Sequence, residues 1–242
     1  MDHSEDAAMI EILVAILSGS VILATPILFS ALGEIYDERA GVLNLGIEGI
    51  MSVTAFAGLW GTYVSGSVWT GVLAAVAAGA FVALIHGFAC VTVGINQLIS
   101  GLLISTLADG IANFGYRSVH GLVNATIEPL RPINIPTLSQ IPIVGPMLFQ
   151  QNVFPYVAFL FAIVFGLVLY RTTWGLKIRA VGENPEACDT AGIDVNRIRY
   201  LCVILSGVMA ALGGACLALG YLGMYDRGIV AGRGWIAIIV VI

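Results

Sequence analysis

Charged residues are absent from long stretches of this chain. No Asp, Glu, Lys or Arg interrupts residues 49–108, and further charge-free runs cover 12–33, 132–170 and 200–225. A bilayer-crossing helix needs about 20 mostly apolar residues, so these runs hold several crossings. Read as helices, they give segments 10–32, 41–64, 68–91, 98–118, 152–170 and 200–221. A last apolar segment starts near Gly234 and is still apolar at Ile242. It is too short to span a bilayer core, so it is either re-entrant or the start of a crossing in a truncated chain, and truncation is the expectation. The expected fold class is all-α: a polytopic membrane helical bundle of about six complete transmembrane helices plus the start of a seventh, in a single domain over 1–242.

Composition agrees. Hydrophobic residues make up 59% and charged residues 10% of the 242, against about a quarter charged in a soluble domain. The net charge is −5 and the ten basic residues form no dense patch, which removes nucleic acid as a partner. Cys90, Cys188, Cys202 and Cys216 show no C-x-x-C spacing and read as small packing residues. The first eleven residues carry four acids and no Lys or Arg, unlike the basic start of a cleaved secretory signal.

Orientation follows from the basic residues in short loops. Arg171, Lys177, Arg179, Arg197 and Arg199 fall in one connection, 171–199, which is expected to face the cytoplasm. Counting back, 92–97 and a turn at 33–40 containing Arg39 share that side. The N-terminus and the connection 121–151 then lie outside. Six of the eight prolines fall between Pro129 and Pro155. With its Ile135–Pro136 and Ile141–Pro142 pairs, this connection is expected to form a structured cap.

Two segments carry small residues four apart: Ala75, Gly79, Ala83, Gly87 and Ser206, Ala210, Gly214, Ala218. Such stripes let helix backbones approach closely in lipid, and they read as packing faces.

Hydrolytic machinery is missing. The single lysine, Lys177, follows Leu176, so there is no G-x-x-x-x-G-K-[ST] loop. His3, His86 and His120 form no H-x-x-x-H or H-E-x-x-H pair. No nucleophile–base or metal constellation marks an enzyme, and no cofactor is implied. His86 alone reads as a satisfied interior residue. Asn44 and Glu48, four apart, are expected on one face at the start of the second crossing. Glu48 either faces a bundle interior or wet cavity, or lies shallow enough to meet cytoplasmic water or a partner. Asn96, Gln97 and Ser100 begin the fourth crossing; Asp109 and Asn113 lie further along it.

In the basic connection, Asn184 is a good N-cap, Pro185 suits the first helical position and Gly192 can end a helix left-handed. A two-turn helix over 185–191 follows, with Glu186 in the first turn favoured by the helix dipole. It is either loop packing or a knob that a soluble partner grips.

Four segments carry a resemblance: ERAGVLNLGIEG at 38–49, NQLISG at 96–101, GLKIRAVGENPEA at 175–187 and AGRG at 231–234. In order and spacing they resemble permease subunits of ATP-binding-cassette (ABC) importers of the ribose and nucleoside type, particularly the shorter nucleoside-type permease. That resemblance implies an external N-terminus, and family members continue past AGRG with further crossings. It makes 1–242 a transmembrane permease domain of the cell membrane, moving a nucleoside or simple sugar. Glu183, Asn184, Pro185, Glu186, Ala187, Asp189, Ala191 and Gly192 would form the coupling helix that docks on a separate ABC ATPase subunit. A second permease subunit, an extracytoplasmic substrate-binding protein, the small-molecule substrate and membrane lipid complete the implied partners. Asn44, Glu48, Asn96, Gln97 and Ser100 fall in family segments near the translocation path. The alternative is an ion-coupled secondary carrier using Glu48 or Asp109, although no internal repeat is visible.

Overall fold

The computed structural model describes residues 3–120, 126–134, 136, 139, 141 and 144–242. Among them there is no β-strand; their regular elements are helices. In order these are α1 (His3–Arg39), α2 (Ile47–Ser65), α3 (Val68–Gly87), α4 (Gln97–His120), the short α5 (Val144–Leu148), α6 (Val153–Arg171), α7 (Thr173–Glu183), α8 (Pro185–Thr190), α9 (Val195–Ala215) and α10 (Arg233–Val241). α3 and α9 each end in a wider π-helical turn, Phe88–Thr92 and Cys216–Leu222.

Among the described residues, five helical stretches are long and apolar enough to cross a membrane: Glu11–Arg39, Val68–Thr92, Gln97–Val119, Val153–Arg171 and Val195–Leu222. α2 is not among them, and its position explains why. It sits at the centre of the bundle between α3, α4 and α9, with Ile47, Ile50, Met51, Ala55 and Leu59 fully buried. A helix wrapped by protein need not satisfy hydrocarbon, so α2 can carry Glu48, Ser52, Thr54 and Thr62. Two of its hydroxyls are satisfied locally: Thr54 donates to Ile50 O at 2.7 Å and Thr62 to Gly58 O at 2.9 Å.

Small residues set the helix spacing. A methyl group added to Gly79 of α3 would lie 2.6 Å from Gly207 O and 2.6 Å from Ala211 Cβ of α9. The stripe Ala75, Gly79, Ala83, Gly87 is buried, as expected. The second stripe is buried too but meets other neighbours: Ser206 lies against Gly33 of α1, and Gly214 against Met51 and Thr54 of α2. Close approach maximises the dispersion contacts that hold helices together in lipid.

Two sequence expectations are corrected here. Residues 33–40 form no turn, because α1 stays helical to Arg39. Its inner face keeps packing there: Tyr36 and Ala40 are buried, and Tyr36 Oη donates to Phe165 O at 2.7 Å. Glu34 is also buried, its carboxylate accepting from Asn44 N at 3.0 Å. The second helix starts at Ile47 rather than near Gly41. Gly41 takes φ +81°, and Asn44 Oδ1 accepts from Gly46 N at 2.9 Å, making 41–46 a folded connector.

The described part of the Pro-rich connection packs as a cap. Ile127 N donates to Gly223 O at 2.7 Å, Leu130 N to Leu219 O at 3.0 Å and Ile133 N to Gln151 O at 2.9 Å. Residues 126–133 are thereby tied to the end of α9 and the approach to α6. On its surface, the hydrogen bond from Arg131 to Glu128 pushes the guanidinium pKa up. Ile135 and Pro142 of the two Ile–Pro pairs lie outside the described residues. All four cysteines are free thiols; Cys188, Cys202 and Cys216 are buried.

Candidate translocation and coupling sites

The residues expected along the path divide into a scaffold and a cavity. Asn44 is fully buried in the connector, so it does not share a helical face with Glu48. Gln97, at the start of α4, staples the same connector. Its Oε1 accepts from Leu43 N at 2.8 Å and its Nε2 donates to Gly41 O at 3.3 Å. Asn96 caps α4, with Oδ1 accepting from Leu98 N at 3.0 Å and from Ile99 N at 3.3 Å. Ser100 Oγ pairs with His86 Nδ1 at 3.1 Å, and His86 Nε2 reaches Leu43 O at 3.3 Å. His86 is therefore a satisfied interior residue, as its sequence setting indicated. These groups hold the ends of α3 and α4 to the connector.

Glu48 is different. Its Oε1 accepts from Gly232 N and its Oε2 from Gly234 N, both at 2.8 Å. Backbone N–H groups at a helix start have no intrahelical acceptor, and an anion there is favoured by the helix dipole. Gly232, the N-cap of α10, has no side chain to do this, so Glu48 caps α10 from another helix. Residues 223–232, non-helical and turning back from the end of α9, are thus drawn to the first turn of α2.

Beside this contact lies a cavity of about 360 Å³, lined among others by Glu48, Ser52, Ser105, Thr106, Asp109 and Trp235. Asp109 Oδ1 accepts from Ser52 Oγ at 2.7 Å, and Asp109 Oδ2 from Asn113 Nδ2 at 3.1 Å. Ser52 Oγ also lies 3.2 Å from Tyr225 Oη. Asp109 and Asn113 were legible as a pair four apart. Their partners Ser52 and Tyr225 were not, because nothing local distinguishes them from other hydroxyl residues. Leu102 and Thr106 of α4, both exposed, line the cavity as well. The two acidic side chains on this wall, Glu48 and Asp109, make it a costly surface to leave to hydrocarbon; in membrane proteins such groups face a bundle interior or a wet cavity.

At the opposite end of α9, the basic connection folds into two helices. Thr172 caps α7 by accepting from Gly175 N at 3.2 Å, and Gly175, Ile178 and Val181 bury one side of α7. This helix was not anticipated, although Thr172 and the apolar spacing signal it. α8 forms as expected: Asn184 Oδ1 accepts from Ala187 N at 3.0 Å, Pro185 opens the helix and Gly192 takes φ +79°. Cys188 is its buried anchor, and Ile193 N returns to Cys188 O at 2.9 Å. Asp194 then caps α9 by accepting from Arg197 N at 2.9 Å. Glu183, Glu186, Ala187, Asp189, Ala191 and Gly192 are exposed, and Pro185 is half-buried. Beside α8 a notch of about 290 Å³ is lined by Pro185, Glu186, Asp189, Asp194, Val195 and Asn196.

Long apolar helices around a recess that holds two carboxylates, with a capped knob in the basic connection, are the build of a multi-pass membrane protein. Residues 16–242 match the family described as branched-chain amino acid transport system / permease component, and the chain belongs to it. It is 34% identical to the nucleoside ABC transporter permease protein NupC of Lactococcus lactis, over 92% of this chain and 73% of that one. It is also 34% identical to the guanosine ABC transporter permease protein NupQ of Bacillus subtilis, over 95% and 75%. With the glucose ABC transporter permease protein TsgB13 of Haloferax volcanii it shares 27%, over 90% and 60%. No solved structure matches significantly. The protein is a multi-pass inner-membrane permease component of an ABC system, and transport rather than catalysis is its work.

Proposed function

We propose that this chain supplies one half of the pathway of an importer for a nucleoside or simple sugar. A second permease chain covers its polar flank, a cytoplasmic ATPase grips α8, and an extracytoplasmic binding protein delivers the solute. In this reading α1, α2, α3, α4, α6 and α9 are six complete crossings, α10 begins a seventh, and 1–242 is one transmembrane domain. The cargo class follows the named cargoes of NupC, NupQ and TsgB13. Asn44, Asn96, Gln97 and Ser100 position the elements around the path; Glu48 lies on its wall.

The observation that carries the reading is α8. It is short, capped at both ends and fixed to its neighbours through Cys188 and Ile193, yet it exposes Glu186, Ala187 and Asp189. A displacement applied to a rigid knob reaches α7 and α9, whereas a floppy loop would dissipate it. ATP-driven closure of the ATPase pair would push α8 and rock the bundle between outward and inward openings. Ala187→Arg places a bulky charge on the gripped face. ATP-dependent uptake by the assembled transporter is expected to vanish while membrane insertion is unchanged; normal uptake by that variant would refute the reading.

A further inference from the structure

We infer that the cavity between α2, α4 and segment 228–235 is a charge filter that passes neutral solutes and turns away anions, so that phosphorylated forms of the cargo are rejected on the pathway itself. The inference rests on the transport reading above and adds the selectivity of the same path.

Two carboxylates, Glu48 and Asp109, stand on the cavity wall with no Lys, Arg or His among the lining residues. Asp109 takes its hydrogen bonds from Ser52 and Asn113, both neutral donors, so no cation is paired with it. Glu48 meets two N–H groups at the start of α10, where the dipole offsets only about half a charge. Arg233 is the basic residue nearest in sequence to these contacts, but its Nη1 donates to Ile229 O at 3.2 Å and Val230 O at 2.9 Å. Among the described residues, neither carboxylate forms an ion pair. Low-dielectric walls focus the field of such charges into the recess.

Of the remaining polar lining, Ser52 and Thr106 give their hydroxyl protons to Asp109 Oδ1 and Leu102 O and keep acceptor capacity, while Ser105 can donate and accept. Sugar hydroxyls can donate to the carboxylates and exchange hydrogen bonds with these groups. The phosphate group of a monoester replaces one such hydroxyl by acceptor oxygens and brings like charge towards Asp109 and Glu48. Rejection by like charge is the repulsive half of specificity.

The test reads the cavity's potential without any cargo. Thr106→Cys is placed in a Cys90→Ala background, leaving the three buried native thiols, and the transporter is kept in native membranes. Its rates of modification by a cationic and an anionic methanethiosulfonate reagent are compared, each normalised to a free thiol in solution. Both reagents should react, the cationic one roughly tenfold faster. Asp109→Asn should bring the ratio severalfold towards that of the free thiol, and Asp109→Glu should restore it. Ser65→Cys, exposed at the other end of α2, should show the free-thiol ratio throughout. Absence of reaction at Thr106→Cys, or a ratio that Asp109→Asn leaves unchanged, would overturn the inference. A flat ratio with intact ATP-driven uptake removes the filter alone. A preserved ratio with uptake insensitive to Ala187→Arg removes the coupling reading instead.

Discussion

Glu48 holds Gly234 in two ways. Its Oε2 accepts from Gly234 N at 2.8 Å, and the backbones are so close that a methyl group on Gly234 would stand 2.7 Å from Glu48 Cα. The segments ERAGVLNLGIEG and AGRG, almost two hundred residues apart, therefore interlock at the wall of the cavity. Glu48→Ala removes a charged acceptor from two N–H groups, a loss of about 1–3 kcal/mol. Gly234→Ala drives Cβ into the α2 backbone. Both variants should insert normally, unfold at lower temperature in detergent and lose uptake, with Glu48→Gln intermediate. Wild-type melting of Glu48→Ala would contradict this capping role.

Helix spacing gives a second prediction. Gly79→Val should cut the yield of folded protein sharply, because even its Cβ meets Gly207 O at 2.6 Å and overpacking costs about 1–3 kcal/mol or more. Gly110→Ala on α4 meets nothing within 4 Å and should be close to neutral. Size-exclusion profiles of the two variants provide the comparison.

The capped knob gives a third. Asn184→Ala removes the acceptor for Ala187 N, at a cost of about 1 kcal/mol. In so short a helix, that should fray the gripped element and lower uptake severalfold without changing expression. Asn184→Asp keeps the cap and should restore transport. Uptake rates normalised to membrane content distinguish the two.

Much of the global design was legible in the sequence, for identifiable reasons. Charge-free runs exposed the apolar helices, and Asn184, Pro185 and Gly192 carry their own instructions for α8. Charge patterning misled at 33–40, where Glu34 is buried inside the bundle and α1 continues past it. It also hid the connector at 41–46, whose shape depends on Gln97 reaching back from α4. The cavity was half visible: Asp109 and Asn113 are local partners, whereas Ser52, Tyr225 and the capping of α10 by Glu48 are long-range pairings without a local signal.

Gln97 supplies a fourth prediction. Gln97→Ala leaves Leu43 N without its acceptor and Gly41 O without its donor, a loss of about 1 kcal/mol per bond. Limited proteolysis should then open the chain at 41–46 faster than in the wild type, with α8 unaffected. Unchanged cleavage would show that the connector holds without this staple.

The most direct measurement follows labelled nucleoside or sugar into proteoliposomes containing the assembled transporter, with and without its ATPase subunit. Accumulation should require both the ATPase and ATP, and Ala187→Arg should abolish it. Solute concentrated by this chain with no ATPase present would contradict the account at its centre.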